Sequence, residues 1–225
     1  MYLCYNRYMK QIITVQKTAE AKIEIKRSEF YSYIAPVDSE KSASEFVSYI
    51  KKEHHKASHH PYAYITGIKE RLTKTSDDGE PAQTAGRPIL GVLEANNLTN
   101  VVLVSARYFG GIKLGAGGLN RAYSQSAAHA VKAAVFVQKV FCSVLLINIK
   151  YSLLDKVSEY FRQRDFQVLE TSFTESAMVK VAVPVEMYVH TCEDLNDLAS
   201  GDLSIEIISE EYIDKIISEG DINDD

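Results

Sequence analysis

One stretch of the sequence, residues 101–124, limits most strongly what the chain can fold into. It opens with the apolar, β-branched run 101–104, which is typical of a buried strand. Five of the chain's eleven glycines then fall within residues 110–118, and residues 119–134 are rich in alanine with apolar residues at helical spacing. Glycines let backbone amides converge, and the first turn of a helix leaves its amides unpaired at the positive end of the dipole. The stretch therefore predicts a strand, a glycine loop and a helix whose start favours anions.

The glycine loop does not match either of two common nucleotide-binding motifs. A P-loop needs Lys and then Ser or Thr after its last glycine, but Ala116 and Gly117 occupy those positions. Residues 115–120 lack the last glycine of a dinucleotide fingerprint. Nucleotide binding of either kind is therefore not expected. The glycines either serve backbone turns and close packing alone, or form a surface loop that touches phosphate or peptide.

The charge pattern favours a surface for anions in this part of the chain. No Asp or Glu occurs from residue 95 to residue 154. Six basic residues do occur there: Arg107, Lys113, Arg121, Lys132, Lys139 and Lys150. A buried core would also lack acids, but it would not explain cations that flank glycines. Because the whole chain carries a net charge of −5, binding of a polyanion would have to use such a local patch.

The composition is that of a globular protein with one large or two small domains. The chain has 225 residues, of which 46% are hydrophobic and 24% are charged, enough to build a real core. No apolar run approaches the length of a transmembrane helix, and the first ten residues lack the apolar stretch of a signal peptide. The cysteines Cys4, Cys142 and Cys192 are odd in number and far apart, which predicts reduced thiols and a cytoplasmic location.

The order of the predicted elements indicates an α+β protein with two domains, residues 11–137 and 138–211. The first domain contains short strands and a helix over residues 40–53, for which Ser39 is the expected N-cap. The second follows the order strand, helix, strand, strand, helix, strand, which is the ferredoxin-like plan. Residues 1–10 and 212–225 are predicted to be flexible tails.

Two polar clusters of the first domain suggest chemistry. Asp77, Asp78 and Glu80 lie in the polar segment 69–83, which we predict to be a mobile loop, and His59 and His60 close a histidine-rich helix end. If these groups converged, they could hold a divalent metal or share a proton. A solvated loop and solvated histidines are the simpler interpretation, because the H-E-x-x-H pattern of a metalloprotease is absent.

Two motifs in this domain resemble those of the YigZ/IMPACT family. The first is Ser76-Asp-Asp-Gly-Glu-Pro81 followed by Thr84-Ala-Gly-Arg-Pro-Ile-Leu90, and the second is Arg107-Tyr-Phe-Gly-Gly-Ile-Lys-Leu-Gly115 followed by Gly117-Gly-Leu119 and Arg121-Ala-Tyr123. Weaker similarities are Lys26-Arg-Ser-Glu-Phe30 and Ala57-Ser-His59-His60. Together with the predicted second domain, the resemblance extends over about residues 11–210.

The resemblance implies a fold and a biological setting. The N-terminal domain would be a β-α sandwich like domain IV of elongation factor G, and the C-terminal domain would be ferredoxin-like, as is domain V of that factor. Eukaryotic relatives regulate translation through protein–protein contacts in the starvation-kinase pathway, and binding of nucleic acid or the ribosome has been suggested for bacterial members. No catalytic chemistry is settled for the family, and no cofactor is implied.

The leading hypothesis is a non-enzymatic, translation-related regulator that binds RNA, the ribosome or a translation factor through a glycine-rich basic surface, with no membrane partner. Its anion-binding residues would be Arg107, Lys113, Gly115, Gly117, Gly118 and Arg121. Tyr108, Phe109 and Tyr123 could stack on bases, although core packing is the simpler role for Phe109. The motif-loop residues would be Asp77, Asp78, Gly79, Glu80, Thr84 and Arg87, with His59 and His60 as accessory residues.

Two other hypotheses remain open from the sequence. One is a metal-dependent or acid–base hydrolase that uses His59 and His60 with Asp77, Asp78 and Glu80. The other is a protein–protein adaptor that uses the acidic residues 212–225.

Overall fold

The computed structural model describes residues 12–68 and 70–217, and it divides into two compact units. Among the described residues, the first unit comprises 12–138 and 214–217, and the second comprises 139–213. None of the described helices is both long enough and apolar enough to cross a membrane. Cys142 and Cys192 are free thiols.

The first unit is built on an antiparallel sheet with the strand order β2-β3-β6-β4-β5. Its strands are β1 (Ile12–Val15), β2 (Ala19–Ile25), β3 (Ser28–Pro36), β4 (Tyr62–Thr66), β5 (Leu72–Ser76) and β6 (Val101–Tyr108). Its helices are α1 (Glu40–Glu53), α2 (Gly86–Ala95) and α3 (Ala116–Lys132).

The central strand β6 is covered on both faces, which explains its continuous apolar sequence. Val102 and Val104 pack in one hydrophobic cluster with residues of α1. Val101 and Leu103 point the other way and pack in a second cluster with residues of α2 and α3. The unit therefore has three layers, with α1 on one side of the sheet and α2 and α3 on the other.

The second unit has the ferredoxin-like order that the sequence predicts. Its elements are β7 (Phe136–Ile149), α4 (Leu154–Gln163), β8 (Gln167–Phe173), β9 (Ala177–Pro184), α5 (Tyr188–Ala199) and β10 (Leu203–Ile217). In its sheet, β7 pairs with β9 and with β10, and β9 pairs with β8. Leu145, Val181, Phe161 and Leu195 are buried in one core, which joins the sheet to the two helices. The prediction of a two-domain α+β chain is confirmed.

Three details of the sequence prediction are wrong. Residues 72–76 form the edge strand β5 rather than part of a loop, because they pair with β4 from Tyr62↔Ser76 to Thr66↔Leu72. The strand β2 begins at Ala19, whereas the sequence pattern predicts a turn over residues 18–21 and a strand only from Lys22. The strand β10 continues to Ile217, so residues 212–217 are not part of a tail. The predicted tail residues 1–10 and 218–225 lie outside the described residues, and so does Lys69.

Candidate functional site

The motif loop, residues 76–88, begins with a carboxylate that caps a helix. The residue before α2 is Ala85, which has no side chain able to cap the helix. Asp77 Oδ1 accepts hydrogen bonds from the amides of Ala85 and Gly86, both at 2.9 Å. Asp77 Oδ2 accepts another from the amide of Gln83 at 2.8 Å. Asp77 thus satisfies two of the amides at the start of the helix.

The next carboxylate, Asp78, ties the motif loop to the end of α1. Its Oδ1 accepts a hydrogen bond from Lys51 Nζ at 2.6 Å, and its Oδ2 accepts one from the amide of His60 at 2.8 Å. Burial raises the pKa of Asp78, but the hydrogen bonds from Lys51 and His60 outweigh burial, and the net pKa is lowered. The backbone carbonyl of Asp78 also accepts a hydrogen bond from His59 Nδ1 at 2.9 Å.

The third carboxylate, Glu80, is buried with an arginine and a tyrosine. Arg107 Nη1 and the Tyr123 hydroxyl donate to Glu80 Oε1 at 2.6 and 2.7 Å. Only 3% of the Glu80 side chain and 6% of the Arg107 side chain are exposed. Burial and the adjacent Glu80 carboxylate raise the pKa of Tyr123, which keeps its hydroxyl a hydrogen-bond donor.

The burial of Arg107 corrects one predicted anion-binding residue. Its charge is neutralised by Glu80, and its guanidinium carbon lies 5.6 Å from the ring centres of both Phe30 and Phe109. It is therefore a structural cation rather than a surface group for phosphate. Tyr123 is fully buried, so the prediction that it stacks on bases is wrong as well.

The histidines also serve structural contacts. His60 is 8% exposed, and its Nε2 donates to the backbone carbonyl of His54 at 3.0 Å. The two ring nitrogens of His54 lie 2.8 Å from the Tyr33 hydroxyl and 3.0 Å from the Tyr108 hydroxyl. Burial lowers the pKa of His54, which favours the neutral ring. A Cβ on Gly79 would lie 3.2 Å from His59 Nδ1, so the lack of a side chain at Gly79 leaves room for the His59 ring.

This arrangement does not support the hydrolase hypothesis. The three carboxylates bond to different partners. Asp78 Oδ2 lies 3.5 Å from His60 Nδ1, and His59 Nδ1 donates to the backbone carbonyl of Asp78 rather than to its carboxylate. In the described part of the chain, no group of three or more His, Cys, Asp or Glu side chains could hold a metal ion.

The remaining two motif-loop residues, Thr84 and Arg87, lie in the second half of this segment. Thr84 is buried, and its hydroxyl donates to the Pro81 carbonyl at 2.6 Å. Arg87 is exposed, with Nη1 at 3.8 Å from a carboxylate oxygen of Glu94. Thr84 also lines an open depression of about 450 Å³ at the start of α3, together with Ala116, Gly117, Asn120 and Arg121.

The glycine loop, residues 109–118, has two close-packed glycines and three open ones. A Cβ on Gly110 would lie 2.0 Å from the Arg27 carbonyl, and the Gly110 amide donates to Ser28 Oγ at 3.2 Å. Gly111 and Gly115 have φ of 82° and 71°, which L-residues rarely adopt. Gly117 has neither a positive φ nor a close neighbour, since a Cβ there would meet no atom within 4 Å. Gly118 is also close-packed, because its Cβ would come within 3.2 Å of Leu114.

The start of α3 is open, and two of the predicted cations flank it at the surface. Its N-cap is Gly115, which provides no side-chain hydrogen bond to the first turn. Lys113, just before the helix, and Arg121, in its second turn, are both exposed. In the chain, two exposed cations therefore flank the amides of the first turn, an order that favours an anion.

The β2–β3 hairpin brings two further cations that the sequence interpretation missed. Lys26 and Arg27 are exposed and form the two-residue turn, with φ of 47° and 65°. Pairing of β3 with β6 places this turn against the glycine loop, where the backbone of Arg27 meets Gly110. Two-residue turns with positive φ favour Asn and Gly, so the fold alone does not call for Lys-Arg here. In the sequence, these two residues stood out only as part of the weaker family similarity Lys26-Arg-Ser-Glu-Phe30.

The aromatic residues of this region have three different environments. Tyr123 is buried, and Tyr108 is partly buried against His54. Phe109, in contrast, is 50% exposed, and its neighbour Ile112 is 40% exposed. The interpretation of Phe109 as a core residue is therefore wrong.

A three-layer first unit with these two loops, joined to a ferredoxin-like unit, defines a class of two-domain α+β proteins. The profile of the Impact N-terminal domain matches residues 26–131, and that of a domain of unknown function, DUF1949, matches residues 147–202. The chain belongs to the IMPACT family.

Relatives of this family match nearly the whole chain. The IMPACT family member YvyE of Bacillus subtilis is 33% identical over 205 residues, covering 91% of this chain and 94% of that protein. The family member YigZ of Escherichia coli is 31% identical over 189 residues, covering 83% and 93%. A crystal structure of a hypothetical protein is similar with a TM-score of 0.59 at 29% identity, covering 90% of this chain and all of that chain.

Proposed function

We propose that the protein is a translation-related regulator that binds RNA, as free RNA or on ribosomal particles, through its glycine-loop surface. We define this surface by its exposed residues Lys26, Arg27, Phe109, Lys113, Gly117 and Arg121. The translational setting is what membership of the IMPACT family implies. The RNA partner is inferred from the chemistry of the surface.

One observation supports the proposal above the others: this surface exposes cations, an aromatic ring and an open helix start together. Phosphate contacts need cations and free amides, and unpaired bases need an exposed ring face. Lys113 and Arg121 supply charge in a segment without acids, and the uncapped first turn of α3 supplies oriented amides. The acids of the motif loop do not compete for the ligand, because each is engaged inside the protein.

The charge of the rest of the chain sets the expected strength. With a net charge of −5, the protein as a whole repels a polyanion, so binding should be modest in affinity and limited to one orientation. If about three phosphates are contacted, the logarithm of affinity should fall with the logarithm of salt concentration with a slope of roughly −2 to −3.

Co-sedimentation with ribosomal particles across a salt series, with fluorescence anisotropy of a labelled structured RNA beside it, tests the proposal. We expect binding that weakens with this slope and is lost when Lys113 and Arg121 are both changed to Glu. Because both side chains are exposed, the double variant should unfold at the same temperature as the original chain. Absence of RNA binding at low salt, or binding that ignores salt, would refute the proposal.

A further inference from the structure

We propose that Phe109 is a stacking platform for an unpaired base, so that the glycine-loop surface prefers single-stranded or looped RNA to duplex RNA. This inference rests on the proposed function and adds the class of RNA that the surface selects. It starts from an exposed phenylalanine, 50% accessible, between the strand β6 and the glycines. What sets this ring apart is that it belongs to the same surface as the exposed cations Lys113 and Arg121.

The ring of Phe109 is supported from within the protein. The guanidinium carbon of Arg107 lies 5.6 Å from the ring centre, and the same atom lies 5.6 Å from the ring centre of Phe30. Arg107 is fixed in turn by Glu80, through the 2.6 Å hydrogen bond. The exposed ring of Phe109 thus lies next to a buried cation, Arg107, whose position is fixed. Such support lowers the entropy lost when a ligand stacks on the ring.

The support extends one layer further into the core. The ring of Phe30 meets that of Tyr123 edge to face, with centres 5.2 Å apart and planes at 87°. The Tyr123 hydroxyl donates to the same Glu80 oxygen that pairs with Arg107. Phe109 is therefore the outermost member of a connected set of rings and hydrogen bonds. This set gives the motif loop, through Glu80, a role in positioning the surface rather than in contacting the ligand.

An exposed ring with cations nearby discriminates between RNA structures. In an A-form duplex the base faces are covered by their neighbours, so a protein ring finds only sugar and phosphate at the surface. An unpaired base offers its whole face, and stacking on an aromatic side chain is sequence-tolerant. Lys113 and Arg121 serve phosphates in either kind of RNA. The stacking contribution should therefore appear with single strands only.

The test compares a fluorescein-labelled 12-nucleotide oligouridylate with a 12-base-pair RNA duplex in anisotropy titrations of the full chain. We expect the single strand to bind more tightly. Changing Phe109 to Leu, which keeps an apolar side chain but removes the ring, should weaken single-strand binding roughly 5- to 100-fold and leave duplex binding unchanged. Phe109→Tyr should retain the affinity of the original chain for the single strand.

The matched control is Phe173→Leu, which removes a 60% exposed ring from the second unit and should change neither affinity. Thermal unfolding of each variant reports whether the fold is intact. Equal effects of Phe109→Leu on both RNAs, or no effect on either, would overturn this inference but leave the proposed function standing as long as the Lys113 and Arg121 reversal abolishes binding. If the original chain binds neither RNA, whether because the surface docks a protein or for another reason, both ideas are overturned.

Discussion

The motif loop and the glycine loop lie in the same unit and both suggest a site in the sequence, yet the fold uses them in opposite ways. In the motif loop, Asp77, Asp78 and Glu80 each accept hydrogen bonds from other parts of the unit. In the glycine loop, a Cβ on Gly111 or Gly117 would meet no atom within 4 Å. The comparison teaches that a run of acids can organise a fold from within, whereas bare backbone beside exposed cations marks a surface open to a partner.

The largest expected loss of stability comes from removing the buried carboxylate of the motif loop. Changing Glu80 to Ala leaves Arg107 as an uncompensated charge in the core, which should lower the free energy of unfolding by about 3–5 kcal/mol. Urea denaturation followed by circular dichroism measures the change. The comparison site is Glu94→Ala, which removes a partly exposed partner 3.8 Å from Arg87 and should cost at most about 1 kcal/mol. Equal costs at the two sites would mean that Glu80 is not the internal support described above.

Two glycines of the glycine loop give a matched pair with opposite signs. Gly110→Ala would place a methyl group 2.0 Å from the Arg27 carbonyl, and the forced backbone shift should destabilise the chain by about 1–3 kcal/mol. Gly117→Ala introduces a methyl group into open space and should raise stability, by up to about 1 kcal/mol, because alanine favours the helix.

The same Gly117→Ala variant also tests whether the first turn of α3 faces the RNA. Its methyl group would lie in the depression beside Arg121, where the proposed function puts the ligand. We therefore expect weaker RNA binding from a more stable protein, measured by anisotropy on the sample used for unfolding. If RNA affinity is unchanged or rises, the first turn of α3 does not face the ligand.

A smaller effect depends on pH and on the motif loop alone. The pKa of Asp78 is lowered in the folded chain from its ordinary 3.8, so the unfolded state binds its proton more readily. The stabilisation by Asp78 is therefore complete above about pH 5 and is lost as the pH falls through the folded pKa, below 3.8. Asp78→Asn should be less stable than the original chain at pH 7 and should lose less stability on going to pH ~3.

Urea midpoints at the two pH values measure this difference. A loss of stability in acid that is as steep for Asp78→Asn as for the original chain would contradict the role given to this carboxylate.

Local patterns predicted the parts of the fold that local physics determines. The helix α1 begins and ends where the sequence predicts, because Ser39 caps it and apolar residues recur at helical spacing. The edge strand β5 was missed, since four of its five residues are exposed and only pairing with β4 defines it. The end of β10 was missed because its acidic composition suggested a frayed tail.

The candidate site was less predictable, because its partners are far apart in the chain. Nothing in the local sequence distinguishes Glu80, which is buried with Arg107 and Tyr123, from Asp77, which caps a helix. The contribution of Lys26 and Arg27 depends on the pairing of β3 with β6. The exposed positions of Lys113 and Arg121, in contrast, follow from their place beside glycines at a helix start.

A pair of matched charge reversals tests the central claim, that the glycine loop rather than the motif loop meets RNA. One variant changes Lys113 and Arg121 to Glu. The other changes Lys52 and Lys56 to Glu; both lysines are exposed and lie at and just after the C-terminal end of α1, which Asp78 contacts through Lys51. Both lower the net charge by the same amount. In co-sedimentation with ribosomal particles across a salt series, we predict that the first variant loses binding at every salt concentration and that the second retains the affinity and salt slope of the original chain. Retained binding by the first variant together with lost binding by the second would contradict the claim.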